Sequence, residues 1–225
     1  MERVELCLHT KMSELQGMYD VKEYIEEAIK RGYKTFAITD TNSTQAFFEV
    51  EDYNLLYTND EDKFKVIYGA EMFFKEDKDD ELSYSIFVYV KMQKGLKNLN
   101  KLISLSYEHE ENKIPIIYKN ELEKYRNGLL YASVGNKGEI YRKIKDNKIK
   151  ELLSFYDFIG IEPYDECKEK NIKIAQICKK ENKILVGVSN CNFINKEDSK
   201  YNEILNYYKK IENVKEWNER YFYTT

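Results

Sequence analysis

Proline is nearly missing from this chain: there are two in 225 residues, Pro115 and Pro163. No proline- or glycine-rich stretch marks a linker, and there is no low-complexity segment or internal repeat. No apolar run approaches the roughly 18–20 residues that span a bilayer. The charged start, Met1-Glu2-Arg3-Val4-Glu5, lacks the apolar stretch of a signal peptide. These absences argue for a cytoplasmic chain with no membrane partner. The four cysteines, Cys7, Cys167, Cys178 and Cys191, match no CxxC pair or zinc-ribbon spacing, so they are expected to stay reduced. Cys178 falls on the apolar face of a predicted helix and reads as core. A basic surplus is missing too. The formal net charge of −4 leaves direct nucleic-acid binding open, with no basic face to carry it.

What is present suits one soluble domain spanning residues 1–225, with 42% hydrophobic and 34% charged residues. Two charge runs stand out. Arg142, Lys143, Lys145, Lys148 and Lys150 read as a solvated helix surface. Glu76, Asp77, Asp79, Asp80 and Glu81 read as an exposed turn between strands. Strand-like and helix-like segments alternate, which argues for parallel strands with crossover helices. Strands are expected at 4–8, 35–39, 65–71, 84–90, 128–133, 157–161 and 183–189. Helices are expected at 21–31, briefly after the second strand, and at 96–105, 171–181 and 198–210. Asp20 and Glu23 form a capping-box pattern ahead of an apolar face of Val21, Tyr24, Ile25, Ala28 and Ile29. Gly32 is placed to end that helix. About seven β/α units fit a closed or distorted TIM-like barrel, whose chemistry sits at the C-terminal strand ends.

Polar residues gather at those ends: Cys7 and His9, which alternation puts on one side of the first strand, then Asp40, Glu71, Asn190 and Asn192. Cys7-Leu8-His9-Thr10, Thr39-Asp40-Thr41, Tyr68-Gly69-Ala70-Glu71 and Asn190-Cys191-Asn192 follow in that order along the chain. The set resembles the polymerase-and-histidinol-phosphatase (PHP) family, which opens with His-x-His, continues with Thr-Asp-His and a Glu, and closes with Asp-or-Asn-x-His. The middle is similar to the PHP domain of bacterial DNA polymerase III alpha subunits of the PolC type. It is carried by residues 95–106 (GLKNLNKLISLS), 122–130 (LEKYRNGLL) and 136–140 (NKGEI). Tyr221-Phe222-Tyr223-Thr224-Thr225 resembles the segment that leaves that domain toward the palm. The resemblance implies a distorted (β/α)7 barrel of the PHP type. Its partners would be the remainder of a DNA polymerase III alpha subunit or other replisome proteins.

Two departures accompany the resemblance. Only Phe74 to Ser83 occupies the place where PolC proteins carry an inserted exonuclease, and the chain stops where the polymerase would begin. An active site in this family resembles a trinuclear metal cluster that activates water against a phosphate ester. Carried over position by position, the ligands fall on Cys7, His9, Gln16, Thr41, Glu71, Tyr107, Gly135, Asn190 and Asn192. His9 and Glu71 are kept, Cys7 is an able substitute, and Asn190 and Asn192 offer neutral oxygens. Gln16, Thr41, Tyr107 and Gly135 are degenerate positions, and His109 is expected to be exposed. No catalytic residue is therefore assigned. The set allows no cofactor, or at most one zinc or manganese ion on Cys7, His9 and Glu71. The expected function is a catalytically inactive PHP domain with a structural role in DNA replication. The alternatives are a small metal-dependent phosphoesterase and a free-standing binding module.

Overall fold

The computed structural model of the chain describes residues 4–57, 63–146 and 148–208. In chain order the elements are α1 (Val21–Lys30), β1 (Thr35–Ile38), α2 (Gln45–Tyr57), β2 (Lys65–Lys75), β3 (Tyr84–Val90), α3 (Gln93–Glu108), β4 (Ile116–Tyr118), α4 (Lys119–Lys124), β5 (Leu129–Val134), α5 (Glu139–Arg142), α6 (Ile149–Phe155), β6 (Phe158–Ile161), α7 (Lys168–Lys180), β7 (Ile184–Gly187) and α8 (Ser199–Tyr208). The alternation is that of the expected α/β class. The residues sort into two compact units, one taken from the segments up to Tyr68 and from Ser189 onward, the other from Gly69–Val188. Among the described residues no helix is long and apolar enough to cross a membrane.

In the first unit, α1 follows its sequence signals. Glu23 Oε2 accepts from the Asp20 backbone N–H at 3.0 Å, completing the capping box. Val21, Tyr24, Ile25 and Ala28 are buried, while Ile29 is about half exposed. Gly32, at φ +79°, ends the helix. β1 runs parallel to the start of β2, from Thr35↔Lys65 to Ile38↔Tyr68. The strand expected at 4–8 is a correction: only isolated bridges form, Glu5↔Phe36 and Leu8↔Cys191. The reason is a side chain. The buried Glu5 carboxylate accepts from the N–H of Cys7 at 3.0 Å, a donor that a regular ladder would use, and also takes the Ser189 hydroxyl and N–H. The segment at 221–225 and the end of the helix expected at 198–210 lie outside the described residues.

The second unit corrects the expectation of uniformly parallel strands. β2 pairs antiparallel with β3, and β3 antiparallel with β5. The pairs β2–β4, β5–β6 and β6–β7 are parallel. Residues 76–83 connect β2 to β3, too few for a crossover, which takes about a dozen residues or more. Instead they form a turn in which the Asp77 N–H donates to Asp80 Oδ2 at 2.9 Å. Asp77, Asp79 and Glu81 are exposed there, as expected. Glu76 is not a free member of that acidic run: Lys119 Nζ lies 2.6 Å and Lys143 Nζ 3.6 Å from its carboxylate. The basic run is likewise no single helix surface. Lys143 bonds the fully buried Glu139 at 2.8 Å, Arg142 donates to Ser83 O at 3.0 Å, and Lys150 pairs with Glu181 at 2.9 Å. Lys145 and Lys148 are solvated.

The polymerase-like middle has a packing role. Gly95, in the first turn of α3, meets Gly128 ahead of β5, where an added Cβ would stand 1.9 Å from the Gly128 carbonyl oxygen. Asn98 Nδ2 donates to Asn127 O at 2.7 Å, fastening the same approach. Alanine at Gly95 would gain about 1 kcal/mol of helix propensity at most. Against that stands a clash with a backbone atom that no rotamer relieves, costing about 3 kcal/mol. Gly95→Ala is therefore expected to lose about 2 kcal/mol in urea unfolding. Gly187→Ala, which has open space around it, is expected to stay within about 0.5 kcal/mol. Equal effects of the two would contradict the packing account.

Candidate functional site

In the first unit two backbone segments run side by side and bring polar side chains together. His9 N donates to Cys191 O at 2.8 Å and Cys191 N to Cys7 O at 2.6 Å. The bridge pairs Leu8 with Cys191, and the next contact is between side chains, with His9 Nε2 3.1 Å from Asn190 Oδ1. Thr39, just past β1, locks its segment to the first: Thr39 N donates to Leu8 O at 2.8 Å, and Leu8 N donates to Thr39 Oγ1 at 3.1 Å. Asp40 follows and is fully buried. Its Oδ1 accepts from Thr10 N at 2.7 Å and Ser13 Oγ at 2.6 Å, and its Oδ2 from Thr10 Oγ1 at 2.7 Å. Asp40 was legible from Thr-Asp-x; its partners Thr10 and Ser13 were not singled out by sequence reasoning.

The protons in this cluster can be followed. Ser13 gives its one hydroxyl proton to Asp40. Toward Thr41 N, 3.1 Å away, and His9 Nδ1, 3.2 Å away, its oxygen can only accept. Nδ1 therefore carries a proton. With Nε2 facing Asn190 Oδ1, both ring nitrogens are engaged by protein groups. Thr41 Oγ1 donates to Gln16 Oε1 at 3.1 Å, so two degenerate ligand positions bond one another. Cys7 is buried, its N–H held by Glu5. Asn192 is fully buried, and among the described residues neither its Oδ1 nor its Nδ2 has a hydrogen-bond partner.

The remaining expected positions lie in the second unit. Glu71, in the middle of β2, is buried and accepts from Ser85 Oγ on β3 at 2.6 Å. Tyr107, near the end of α3, is 54% exposed. His109 is only partly exposed, correcting the sequence expectation. Its Nε2 lies 3.1 Å from Glu121 Oε1, and its ring lies over Tyr118. Gly135 adopts φ +59°, and a Cβ there would stand 2.1 Å from Glu162 Oε2. The buried Glu162 carboxylate, just beyond β6, thus fills the space a side chain at 135 would use. Nothing in the local pattern pointed to this, because only tertiary packing sets a residue after one strand against a glycine after another.

These donors do not fit a cluster of several cations. Such a cluster needs many anionic or imidazole ligands, and the first unit offers one imidazole, one thiol and neutral amides or hydroxyls at the expected positions. Its carboxylate at Asp40 is committed to three donors. Among the described residues no group of three or more His, Cys, Asp or Glu is arranged to hold a metal.

Burial pushes the Asp40 carboxyl above its ordinary 3.8, against the pull of the bonds from Ser13 and Thr10 and with Glu49 adding to the rise. A raised acid favours the folded state most when protonated. Its contribution is full below 3.8 and is lost as pH rises through the folded value. Measured against Asp40→Asn, wild-type unfolding free energy is expected to decline as pH rises above about 4. A difference that is flat or grows with pH would contradict this. Asp40→Ala strands three buried donors and is expected to cost about 3 kcal/mol or more.

The family model for the PHP domain matches residues 5–186. The DNA polymerase III PolC-type of Bacillus subtilis (strain 168) is 36% identical over 129 residues, 49% of this chain and 9% of that protein. The DNA polymerase III subunit alpha of Aquifex aeolicus is 29% identical over 220 residues, 87% of this chain and 18% of that protein. The matched part of the chain thus spans less than a fifth of the length of either relative. Among solved structures, a protein from Bifidobacterium adolescentis assigned as a metal-dependent phosphoesterase has TM-score 0.58 at 12% identity, covering 84% of this chain and 87% of that one. An amidohydrolase from Chromobacterium violaceum has TM-score 0.53 at 11% identity, with the same coverage of both chains. These two likenesses establish a shared fold. With the family model covering most of its length, this chain belongs to the PHP domain family.

Proposed function

We propose that this chain is the PHP domain of a replicative DNA polymerase III alpha subunit of the PolC kind, acting as a scaffold in DNA replication and not as a hydrolase. On this reading both compact units make up one domain, and its partners are the rest of that cytoplasmic polymerase or other replisome proteins. The observation that carries the reading is the engagement of His9. Its two ring nitrogens face Ser13 Oγ and Asn190 Oδ1, so the one imidazole kept at a ligand position serves the fold. The Thr41–Gln16 bond supports it in the same way, and the polymerase relatives support the replication context.

A second reading is favoured by one observation. The buried Asn192 amide, unpartnered at both ends, is an energetic cost that a bound group would relieve. That reading is a small phosphoesterase with a single zinc or manganese ion drawing on Cys7 and His9. Such an ion, when bound, would activate a water toward a phosphate ester.

Two measurements separate the readings. Protein purified without chelator is expected to hold substoichiometric zinc and manganese by mass spectrometry. It is also expected to leave p-nitrophenyl phosphate and its diesters intact when either ion is supplied. His9→Ala is expected to lower stability by about 1–3 kcal/mol through its lost partners. Stoichiometric metal, together with hydrolysis that His9→Ala abolishes, would establish the second reading instead. A reading frame that continues from Thr225 into a polymerase would support the first.

A further inference from the structure

Helix α2 has two apolar faces, and the fold uses one. Ala46, Phe47, Val50 and Tyr53 are buried within the first unit. The opposite face presents Phe48 at 75%, Leu55 at 77% and Leu56 at 62% exposure. Phe48, Asp52 and Leu55 are spaced i, i+4, i+7, so they form one stripe along the helix. Two large apolar side chains a full two turns apart on one exposed face are not the scattered single hydrophobics that any surface carries.

The charge that the helix itself carries has one sign. From Gln45 to Tyr57 the helix holds Glu49, Glu51 and Asp52 and no lysine or arginine. Glu51 and Asp52 are exposed between the apolar residues, and Glu51 also accepts the Tyr68 hydroxyl. A surface helix stabilised for its own sake would carry i,i+4 pairs of opposite charge. This one offers apolar anchors separated by exposed acids, which repel a second copy of the same face and complement a cationic one.

We propose that the outer face of α2 is a docking surface for a basic amphipathic helix of a partner protein. Leucine- or isoleucine-like side chains of the partner would cover Phe48 and Leu55, and lysine or arginine would face Glu51 and Asp52. This inference is independent of whether the PHP site holds a metal, and of the polymerase reading.

The test uses the whole 225-residue chain and two fluorescent synthetic helices of equal length, one built from leucine and lysine, the other from leucine and glutamate. In fluorescence anisotropy at physiological salt, the lysine peptide is expected to bind at least about tenfold more tightly than the glutamate peptide. Phe48→Ser and Leu55→Ser are each expected to weaken it about tenfold, and Asp52→Lys to weaken it by a similar factor. Because these side chains are exposed, circular dichroism melts of the three variants are expected to match wild type, so that lost binding is not lost folding. Binding that is equal for both peptides, or that survives Phe48→Ser and Leu55→Ser, would overturn the proposal. So would a wild-type dimer in sedimentation that Leu55→Ser converts to monomer, since the face would then be covered by a second copy.

Discussion

Three hydrogen bonds converge on the carboxylate of Asp40, from the backbone and hydroxyl of Thr10 and from the hydroxyl of Ser13. They tie the loop after Leu8 to the segment that follows β1. They also fix the direction of the Ser13 proton, and with it the role of the Ser13 oxygen toward Thr41 and His9. Hydrogen bonds to a charged acceptor contribute about 1.5–3 kcal/mol each, while burying a carboxylate costs several. The raised pKa direction at Asp40 says that burial prevails in that balance. The position is therefore a constraint on geometry before it is a source of stability. Once the carboxylate is placed, the orientations of Ser13 and His9 follow.

That arrangement bears on what a metal would do here. In a metal-built mouth, cations join strand ends by offsetting anionic and imidazole donors. In the first unit the strand ends are joined by protein groups: His9 to Ser13 and Asn190, Thr41 to Gln16, and Glu5 to Ser189. On the proposed reading these bonds take over the joining role, and the domain keeps its fold without the chemistry. Asn192 stands apart, since both ends of its buried amide lack a partner among protein groups. Of the residues at the expected positions, it most clearly invites a bound species.

Much of the fold was legible from local rules. Asp20 and Glu23 announced the start of α1, Gly32 its end, and the apolar run from Tyr84 to Val90 gave β3 to the residue. The family resemblance rested on segments now seen to have a packing reason, such as the Gly95–Gly128 approach. What escaped depended on contacts distant in sequence. Glu5 broke the first strand by drawing Cys7 N–H and Ser189 to its carboxylate. The three-residue β4 was too short to show a period. The antiparallel course of β2 and β3 followed from the length of a connection, not from its composition. At the site, His9, Asp40 and Asn190 could be placed because they belong to segments that run side by side, whereas Ser13 and Glu162 sit in loops whose course the sequence does not reveal.

The central claim, that hydrogen bonds and not a metal hold the polar strand ends of the first unit, is tested most directly by chelation. Unfolding free energy would be measured by urea titration in excess EDTA and again with saturating zinc or manganese. A group that binds the folded state alone at a hundredfold excess over its dissociation constant adds about 2.7 kcal/mol. The account predicts curves that coincide in all three conditions. A stabilisation of that size that rises and saturates with either ion, and disappears in His9→Ala, would contradict it.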